Sequence, residues 1–242
     1  MSRILAALAA IFMSACATTA TARGDGPPVL DATRTLVLEG VIANGNALQL
    51  AEPMLKLAKD GTGDPIDLVI SSPGGDVLTG FLFIGIMDAA RATGTKLRCF
   101  VPTIAASMAF QLLVHCDERY ALEHAFLLFH RVRVSLPSGA PLTAPAARQL
   151  AYDMERMDKR MFTELQATLG MATNIIRFHF ERETLHVAAD MAATTEGFIK
   201  VYPVIPGLIE AMLDTKLPHM PHTQDNKTNA SRIMYIWQGA QR

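Results

Sequence analysis

The chain has 242 residues, of which half are hydrophobic and 19% are charged, and its formal net charge is −1 at pH 7. This composition is typical of a folded protein with one sizeable domain, or at most two, and it excludes an intrinsically disordered chain. The absence of a basic block gives little support to a nucleic-acid partner. No spacing of Cys and His resembles a zinc site, so we expect neither a metal nor a cofactor.

The first residues predict an export signal. Arg3 supplies a positive charge, and residues 4–15 form an apolar run of small residues that is too short to span a membrane. The run ends in Met-Ser-Ala-Cys, which resembles a bacterial lipobox, so we expect residues 1–15 to be removed and Cys16 to be lipidated. The expected location is the periplasmic face of a bacterial membrane. The resemblance to known lipoproteins implies that this is the outer membrane. Ordinary cleavage near residues 20–22, with a soluble periplasmic product, is the alternative.

Composition divides the rest of the chain into three parts. Residues 16–33 are rich in small residues, Gly and Pro, which predicts a flexible linker. Residues 34–204 carry the regular apolar patterns of a folded domain. Residues 205–242 are predicted to form a C-terminal helix followed by a loose polar tail.

Apolar runs with strand and helix patterns alternate through the first half of the domain. The predicted strands cover residues 35–42, 66–71, 96–101 and 125–129, and the predicted helices cover residues 47–59, 77–92 and 108–114. The helix over 77–92 is so apolar that we expect it to be largely buried, in the core or against another subunit. This succession of strands and helices predicts an α/β fold with a parallel sheet.

The second half begins with a long helix. Thr143 and the proline two residues later predict its start, and Gly170 predicts its end. Its methionine-rich stripe is more typical of a core or a subunit interface than of a ligand site. A short helix opens at Thr173, a strand-like segment covers 197–204, and a last helix covers 206–213.

The two cysteines that remain after Cys16 lie in the first half of the domain. Cys99 falls on a predicted strand and Cys116 at the far end of the helix that follows it. In an oxidising compartment they form a candidate disulfide pair. Two buried free thiols are equally compatible with the sequence.

Two corners between a strand and a helix carry residue types suited to acyl transfer. Gly74 and Gly75 let the backbone approach a substrate carbonyl and leave an N–H unshielded. Ser107 opens a helix after two alanines, where free N–H groups and the positive end of the helix dipole lie. Most serines at such a position are only helix caps, and a histidine at the end of a strand, such as His130, is more often structural than catalytic. None of these signals is decisive alone.

Together they resemble a known family. Leu-Val-Ile-Ser-Ser-Pro-Gly-Gly at 68–75, Ala-Ala-Ser-Met at 105–108 and Leu-Leu-Phe-His at 127–130 are similar, in order and spacing, to the proteolytic subunit of the Clp protease. The resemblance covers roughly residues 34 to 200. It implies a ClpP/crotonase-like α/β fold of repeated ββα units with a projecting helical handle, and assembly of copies into a ring.

The resemblance also implies roles for individual residues. Ser107 is then the nucleophile and His130 the general base, and the N–H groups of Gly75 and Met108 form the oxyanion hole. Glu183 takes the place of the aspartate in the family's catalytic triad. Asp190 is the competing candidate for this third position.

These roles predict a serine endopeptidase acting on peptides or unfolded polypeptides. Clp proteolytic subunits work with an ATP-driven unfoldase in the cytoplasm, so for an exported chain we expect no ATPase partner. One alternative is a catalytically inactive member that acts as a scaffold or peptide binder, because Arg131 replaces the family's usual Gln. Another is a signal-peptide peptidase-like Ser-Lys enzyme using Lys56 or Lys59.

Overall fold

The computed structural model describes residues 26–43, 46–136 and 141–214. The predicted signal segment, Cys16 and the tail after residue 214 lie outside the described residues. The described strands are β1 (Thr35–Glu39), β2 (Ile66–Ser71), β3 (Leu97–Val101), β4 (Ile104–Ala106), β5 (Glu118–Leu122), β6 (Phe126–Leu128), β7 (Leu185–Val187) and β8 (Lys200–Tyr202). The described helices are α1 (Asn46–Ala58), α2 (Val77–Arg91), α3 (Met108–Val114), α4 (Ala144–Thr168), α5 (Thr173–Arg182), α6 (Ala188–Thr194) and α7 (Leu208–Leu213).

The strands form two sheets. The larger one has the order β1-β2-β3-β5-β8, and all of its neighbours are parallel. In the smaller one, β6 pairs in parallel with β4 and antiparallel with β7. The predicted α/β fold with a parallel sheet is therefore confirmed. The short strands β4 and β7, and helix α6, are additions that the sequence patterns did not predict.

The large sheet is buried on both faces, which explains why its strands read as continuous apolar runs. Leu36 and Leu38 of β1 face the main core beneath α1, α2 and α3, while Val37 between them faces a second cluster. Leu30 and Leu208 cover that second face. The end of the predicted flexible linker is thus packed in place, because the sheet needs apolar cover on that side.

Helix α2 is only partly buried. Asp76 caps it by accepting a hydrogen bond from the N–H of Thr79 at 2.7 Å. Phe83 and Met87 lie in the core, but Leu78 and Leu82 are 72% and 50% exposed. The helix therefore presents an apolar outer face. None of the helices in the described ranges is long and apolar enough to cross a membrane.

A disulfide joins Cys99 in β3 to Cys116 just after α3, with the two Cα atoms 5.9 Å apart. Both residues are buried. The sequence was compatible with either a disulfide or two free thiols, and the structure has the disulfide. It ties the far end of α3 to the central strand of the large sheet.

Candidate active site

Hydrogen bonds hold the two predicted corners side by side. The N–H of Ser72 donates to the carbonyl of Ile104 at 2.9 Å, and the N–H of Ala106 donates to the carbonyl of Ser72 at 3.0 Å. The hydroxyls of Ser71 and Thr103 share a further hydrogen bond of 2.6 Å. The ends of β2 and β4 thus lie together, and the glycine corner faces the serine corner.

Gly74 makes the close approach of the corners possible. Its φ of +93° favours glycine, and a Cβ atom at this position would lie 2.6 Å from the carbonyl oxygen of Ala106 and from Cβ of Ser107. The same atom would lie 2.9 Å from the backbone nitrogen of Met108. Any larger residue would push the two corners apart.

Gly75 is held by the chain segment after β1. Ile42 donates its N–H to the carbonyl of Gly74 at 2.8 Å and accepts from the N–H of Asp76 at 2.7 Å. In a parallel bridge of this kind, the N–H and C=O of the residue between the two bonded positions, here Gly75, point away from the partner segment. The N–H of Gly75 has no acceptor among the described residues.

Ser107 adopts a backbone conformation that residues other than glycine rarely adopt. Its φ is 56° and its ψ is −125°, and such conformations cost on the order of 1–3 kcal/mol and cluster at functional sites. The N–H of Ser107 donates to the carbonyl of Leu128 at 2.8 Å, which fixes the corner to β6. Its side chain makes no capping hydrogen bond to α3. The helix-cap interpretation of this serine is therefore excluded, and its hydroxyl has no hydrogen-bond partner within the described ranges.

Met108 contributes the second free N–H. It is the first residue of α3, where a helix N–H has no partner inside the helix. Its side chain is buried against α2, where a Cβ at Gly80 would lie 2.6 Å from its sulfur. This packing fixes the N-terminus of α3, so that the N–H is held next to the corner of Ser107.

His130 lies two residues beyond Leu128, whose carbonyl accepts from Ser107, and Nδ1 of its ring donates to the carbonyl of Arg131 at 2.5 Å. Because a carbonyl only accepts, the proton lies on Nδ1 and the lone pair on Nε2. Burial, together with the nearby charge of Arg133, lowers the pKa of His130 below its usual value, although the Arg131 carbonyl and Asp158 oppose this. The ring is thus neutral, with Nε2 able to accept a proton.

Glu183 ends α5 in a left-handed conformation with φ of 55°. Its carboxylate pairs with the guanidinium of Arg133, with Nε 2.8 Å from Oε1. The structure therefore holds Glu183 on Arg133, and His130 on a backbone carbonyl. The role of Glu183 as the third triad residue stays a prediction.

Asp190 lies in the first turn of α6 and is exposed. Burial lowers the pKa of His186, and the charge of Asp190 opposes this lowering in part. The carboxylate that opposes the lowered pKa of His130 in the same way is that of Asp158. Asp158 is buried in α4 and accepts from the N–H of Val132 at 2.6 Å. Its carboxylate holds the segment that follows His130.

Most of the chain matches a known family. Residues 26–202 match the family model described as Clp protease. The chain belongs to the Clp protease family. The resemblance that the three motifs predicted is confirmed at this level, and the family indicates a peptidase.

Individual relatives agree with this assignment. The chain is 35% identical over 152 residues to the ATP-dependent Clp protease proteolytic subunit 2 of Nocardia farcinica, covering 62% of this chain and 70% of the relative. It is 26% identical to subunit 1 of Chlamydia abortus over 160 residues, covering 64% and 79%. It is 28% identical to subunit 1 of Mycobacterium bovis over 168 residues, covering 69% and 80%.

The lysines of the Ser-Lys alternative lie far from the corners of this Clp protease family member. Lys56 and Lys59 are exposed at the end of α1. Beside them, the carbonyl of Ala58 accepts from Thr93 and Thr95, which precede β3. Since Ser107 lies beyond the other end of the strands, the length of the strands separates both lysines from its hydroxyl.

Arg133 and Asp158 are the neighbours of the site that sequence reasoning missed. Arg133 lies in a segment without regular structure, and Asp158 is one of several charged residues on a long amphipathic helix. Neither position carries a local pattern that marks it. Among the described residues, no group of three His, Cys, Asp or Glu side chains is arranged to hold a metal ion.

Proposed function

We propose that the chain is a serine endopeptidase that hydrolyses peptides or unfolded polypeptides. The observation that carries this proposal is the strained, uncapped Ser107 between the N–H groups of Gly75 and Met108, which have no acceptor in the described part of the chain. A serine that served only to cap α3 would need neither the strain nor the free donors. Membership of the Clp protease family supports the same chemistry.

In this mechanism the hydroxyl oxygen of Ser107 attacks the carbonyl carbon of the scissile peptide bond. Nε2 of His130 takes the hydroxyl proton as the bond forms. The proton then passes from His130 to the leaving amine, and the C–N bond breaks to leave an acyl ester on Ser107. A water molecule then attacks the ester and gives its proton to His130. The ester C–O bond breaks, His130 returns the proton to the Ser107 oxygen, and the acid product leaves.

The oxyanion forms on the carbonyl oxygen of the substrate in both steps. The N–H groups of Gly75 and Met108 are the donors for this charge, assisted by the positive end of α3. Each such donor is typically worth about a hundredfold or more in rate. Glu183 is the proposed acid that orients His130 and stabilises its charged form in the working enzyme.

Labelling with a fluorophosphonate probe tests the nucleophile directly. We expect the purified protein to be labelled, and Ser107→Ala and His130→Ala to lose the label. Ser135→Ala, an exposed serine, and Lys56→Ala serve as controls that keep it. Absence of labelling in the wild type, or equal labelling of Ser107→Ala, would reject the peptidase.

A second candidate is an inactive member that binds peptides or acts as a scaffold. The observation that favours it is the pairing of Glu183 with Arg133, so that no carboxylate of the described residues is hydrogen-bonded to His130. The two candidates separate in the same labelling experiment. A protein that binds unfolded polypeptide but is never labelled supports the scaffold.

We further propose export and attachment to the periplasmic face of the membrane through lipidated Cys16. The disulfide between Cys99 and Cys116 supports an oxidising compartment, because such bonds rarely persist in the cytosol. Membrane fractionation after labelling with radioactive palmitate tests this. Cys16→Ser is expected to lose both the lipid and the membrane association, and a lipid-free, soluble wild type would contradict the anchor.

The relatives are named ATP-dependent, whereas we propose that this chain works without an ATPase partner. An exported protein has no supply of ATP, so its substrates must be short or already unfolded. The purified protein alone is expected to hydrolyse unfolded casein at a rate that ATP does not change. Hydrolysis that requires a cytoplasmic ATPase and ATP would contradict the proposal.

We propose a homo-oligomeric ring, which the exposed Leu78 and Leu82 of α2 support as a face for a second copy. Sedimentation of the wild type is expected to give a closed oligomer. Leu78→Glu with Leu82→Glu is expected to weaken it. Leu213→Glu, a similarly exposed apolar residue on α7, is the matched control.

A further inference from the structure

Arg133 occupies both oxygens of the carboxylate that is proposed to complete the triad. Its Nε donates to Oε1 of Glu183 at 2.8 Å, and its Nη2 pairs with Oε2. The planar guanidinium fork matches a carboxylate in this arrangement. Arg133 lies three residues beyond His130, on the segment that follows β6.

His130 is likewise engaged elsewhere. Its Nδ1, the atom to which a triad acid would bind, donates instead to the carbonyl of Arg131. Within the described residues, neither His130 nor Glu183 is bonded to the other. The proposed triad is thus interrupted between His130 and Glu183, because each of them is bonded to another group instead.

We propose that Arg133 is a positioning residue that holds Glu183 off His130, and that this ion pair must open before the triad forms. The inference rests on the proposed peptidase function. When the pair opens, Glu183 exchanges the guanidinium for the Nδ1–H of His130, and His130 gives up the carbonyl of Arg131. No covalent bond changes in this step.

The ion pair is weak enough for such a role. The side chains of Arg133 and Glu183 are 55% and 30% exposed. Partly exposed ion pairs typically shift an equilibrium by no more than about fivefold, and salt screens them. Substrate binding or assembly of copies can therefore open the pair, whereas a buried pair would resist both.

The first test compares fluorophosphonate labelling rates. Arg133→Gln is expected to be labelled about two- to fivefold faster than the wild type, because Glu183 is released. Arg148→Gln, an exposed arginine of α4, is the matched control and is expected to be unchanged. Raising the salt concentration from about 0.05 M to about 1 M is expected to speed labelling of the wild type more than that of Arg133→Gln.

A double variant separates this role from a direct charge effect of Arg133 on His130. If Arg133 acts through Glu183, then Arg133→Gln gives no gain in a Glu183→Gln background. A gain that persists in that background overturns the proposal, as does an unchanged or slower Arg133→Gln single variant.

An NMR readout works even if the protein is never labelled. The Nδ1–H proton of His130 is expected to move downfield in Arg133→Gln, because a carboxylate replaces a carbonyl as its acceptor. The same signal is expected to stay in place in the double variant. A downfield shift without labelling supports the positioning role and rejects the peptidase, whereas labelling without the shift rejects the positioning role alone.

Discussion

Gly74 and Ser107 are in such close contact that one methyl group does not fit between them. A Cβ on Gly74 would lie 2.6 Å from Cβ of Ser107, and the φ of +93° at Gly74 is itself unfavourable for a larger residue. Contacts this short force the backbone to move. The position of the proposed nucleophile therefore depends on a residue in the opposite corner.

The first prediction concerns this contact. Gly74→Ala is expected to destabilise the fold by about 1–3 kcal/mol and to reduce fluorophosphonate labelling by at least about tenfold, because the corner of Ser107 must shift. Urea unfolding and labelling rates measure the two effects. Gly85→Ala is the control: a Cβ there meets nothing within 4 Å, and the alanine is expected to stabilise helix α2 by up to about 1 kcal/mol. Normal labelling of Gly74→Ala would show that the position of Ser107 does not depend on its close contact with Gly74.

The second prediction concerns the disulfide. The variant Cys99→Ala/Cys116→Ala is expected to lose roughly 3 kcal/mol of unfolding free energy, because the bond closes a loop between residues 17 positions apart. Denaturant unfolding with and without reductant measures it. The wild type is expected to lose stability in reductant and the double variant to be insensitive. Equal stability of the two proteins would show that the bond contributes nothing.

The third prediction concerns the third triad residue. Glu183→Gln is expected to slow peptide hydrolysis by at least about tenfold, because His130 loses its proposed orienting carboxylate. Asp190→Asn is the matched control, since Asp190 is exposed and acts on His186 instead. Steady-state kinetics with a short fluorogenic peptide distinguish the two. A larger loss in Asp190→Asn would give the third position to Asp190.

The fourth prediction concerns His186, whose ring stacks on Phe129 and meets the ring of His179 edge-on. Burial, with the charge of His179 as a smaller cause, lowers the pKa of His186 from 6.5 to about 4. The unfolded chain therefore binds the proton first, and stability that is full above pH 6.5 is lost as the pH falls towards about 4.

His186→Phe keeps the stacked ring without the titration. Allowing for partial exposure of the ring, the wild type is expected to lose roughly 2 kcal/mol more unfolding free energy than this variant between pH 7 and pH 4. Urea unfolding at several pH values measures the difference. His124→Phe, at a side chain that is 90% exposed, is the control and is expected to follow the wild type. Parallel curves for all three proteins would contradict the prediction.

Much of the fold could be predicted because its signals are local. The apolar run at 66–71 and the helix at 108–114 were predicted with the bounds that the structure has, and the helix starting near Thr143 within one residue. Strand β4, by contrast, has only three residues and is defined by its pairing with β6. Pairing between distant segments leaves no period in the sequence, so β4 and β7 were not predicted.

The same distinction applies to the site. Gly75, Ser107 and Met108 stand in motifs whose backbone chemistry is readable from adjacent residues. The pairing of Glu183 with Arg133 joins residues 50 positions apart through side chains alone. Such a contact depends on the path of the chain between them, which no local pattern determines.

The disulfide has one more consequence for the proposed nucleophile. Cys99 and Cys116 lie on either side of Ser107, so the corner, β4 and α3 all belong to a covalently closed ring of chain. A single proteolytic cut inside this ring leaves both fragments joined. A protein working among other proteases would thus keep Ser107 attached to its sheet after a nick, and the damage would show on a gel only after reduction.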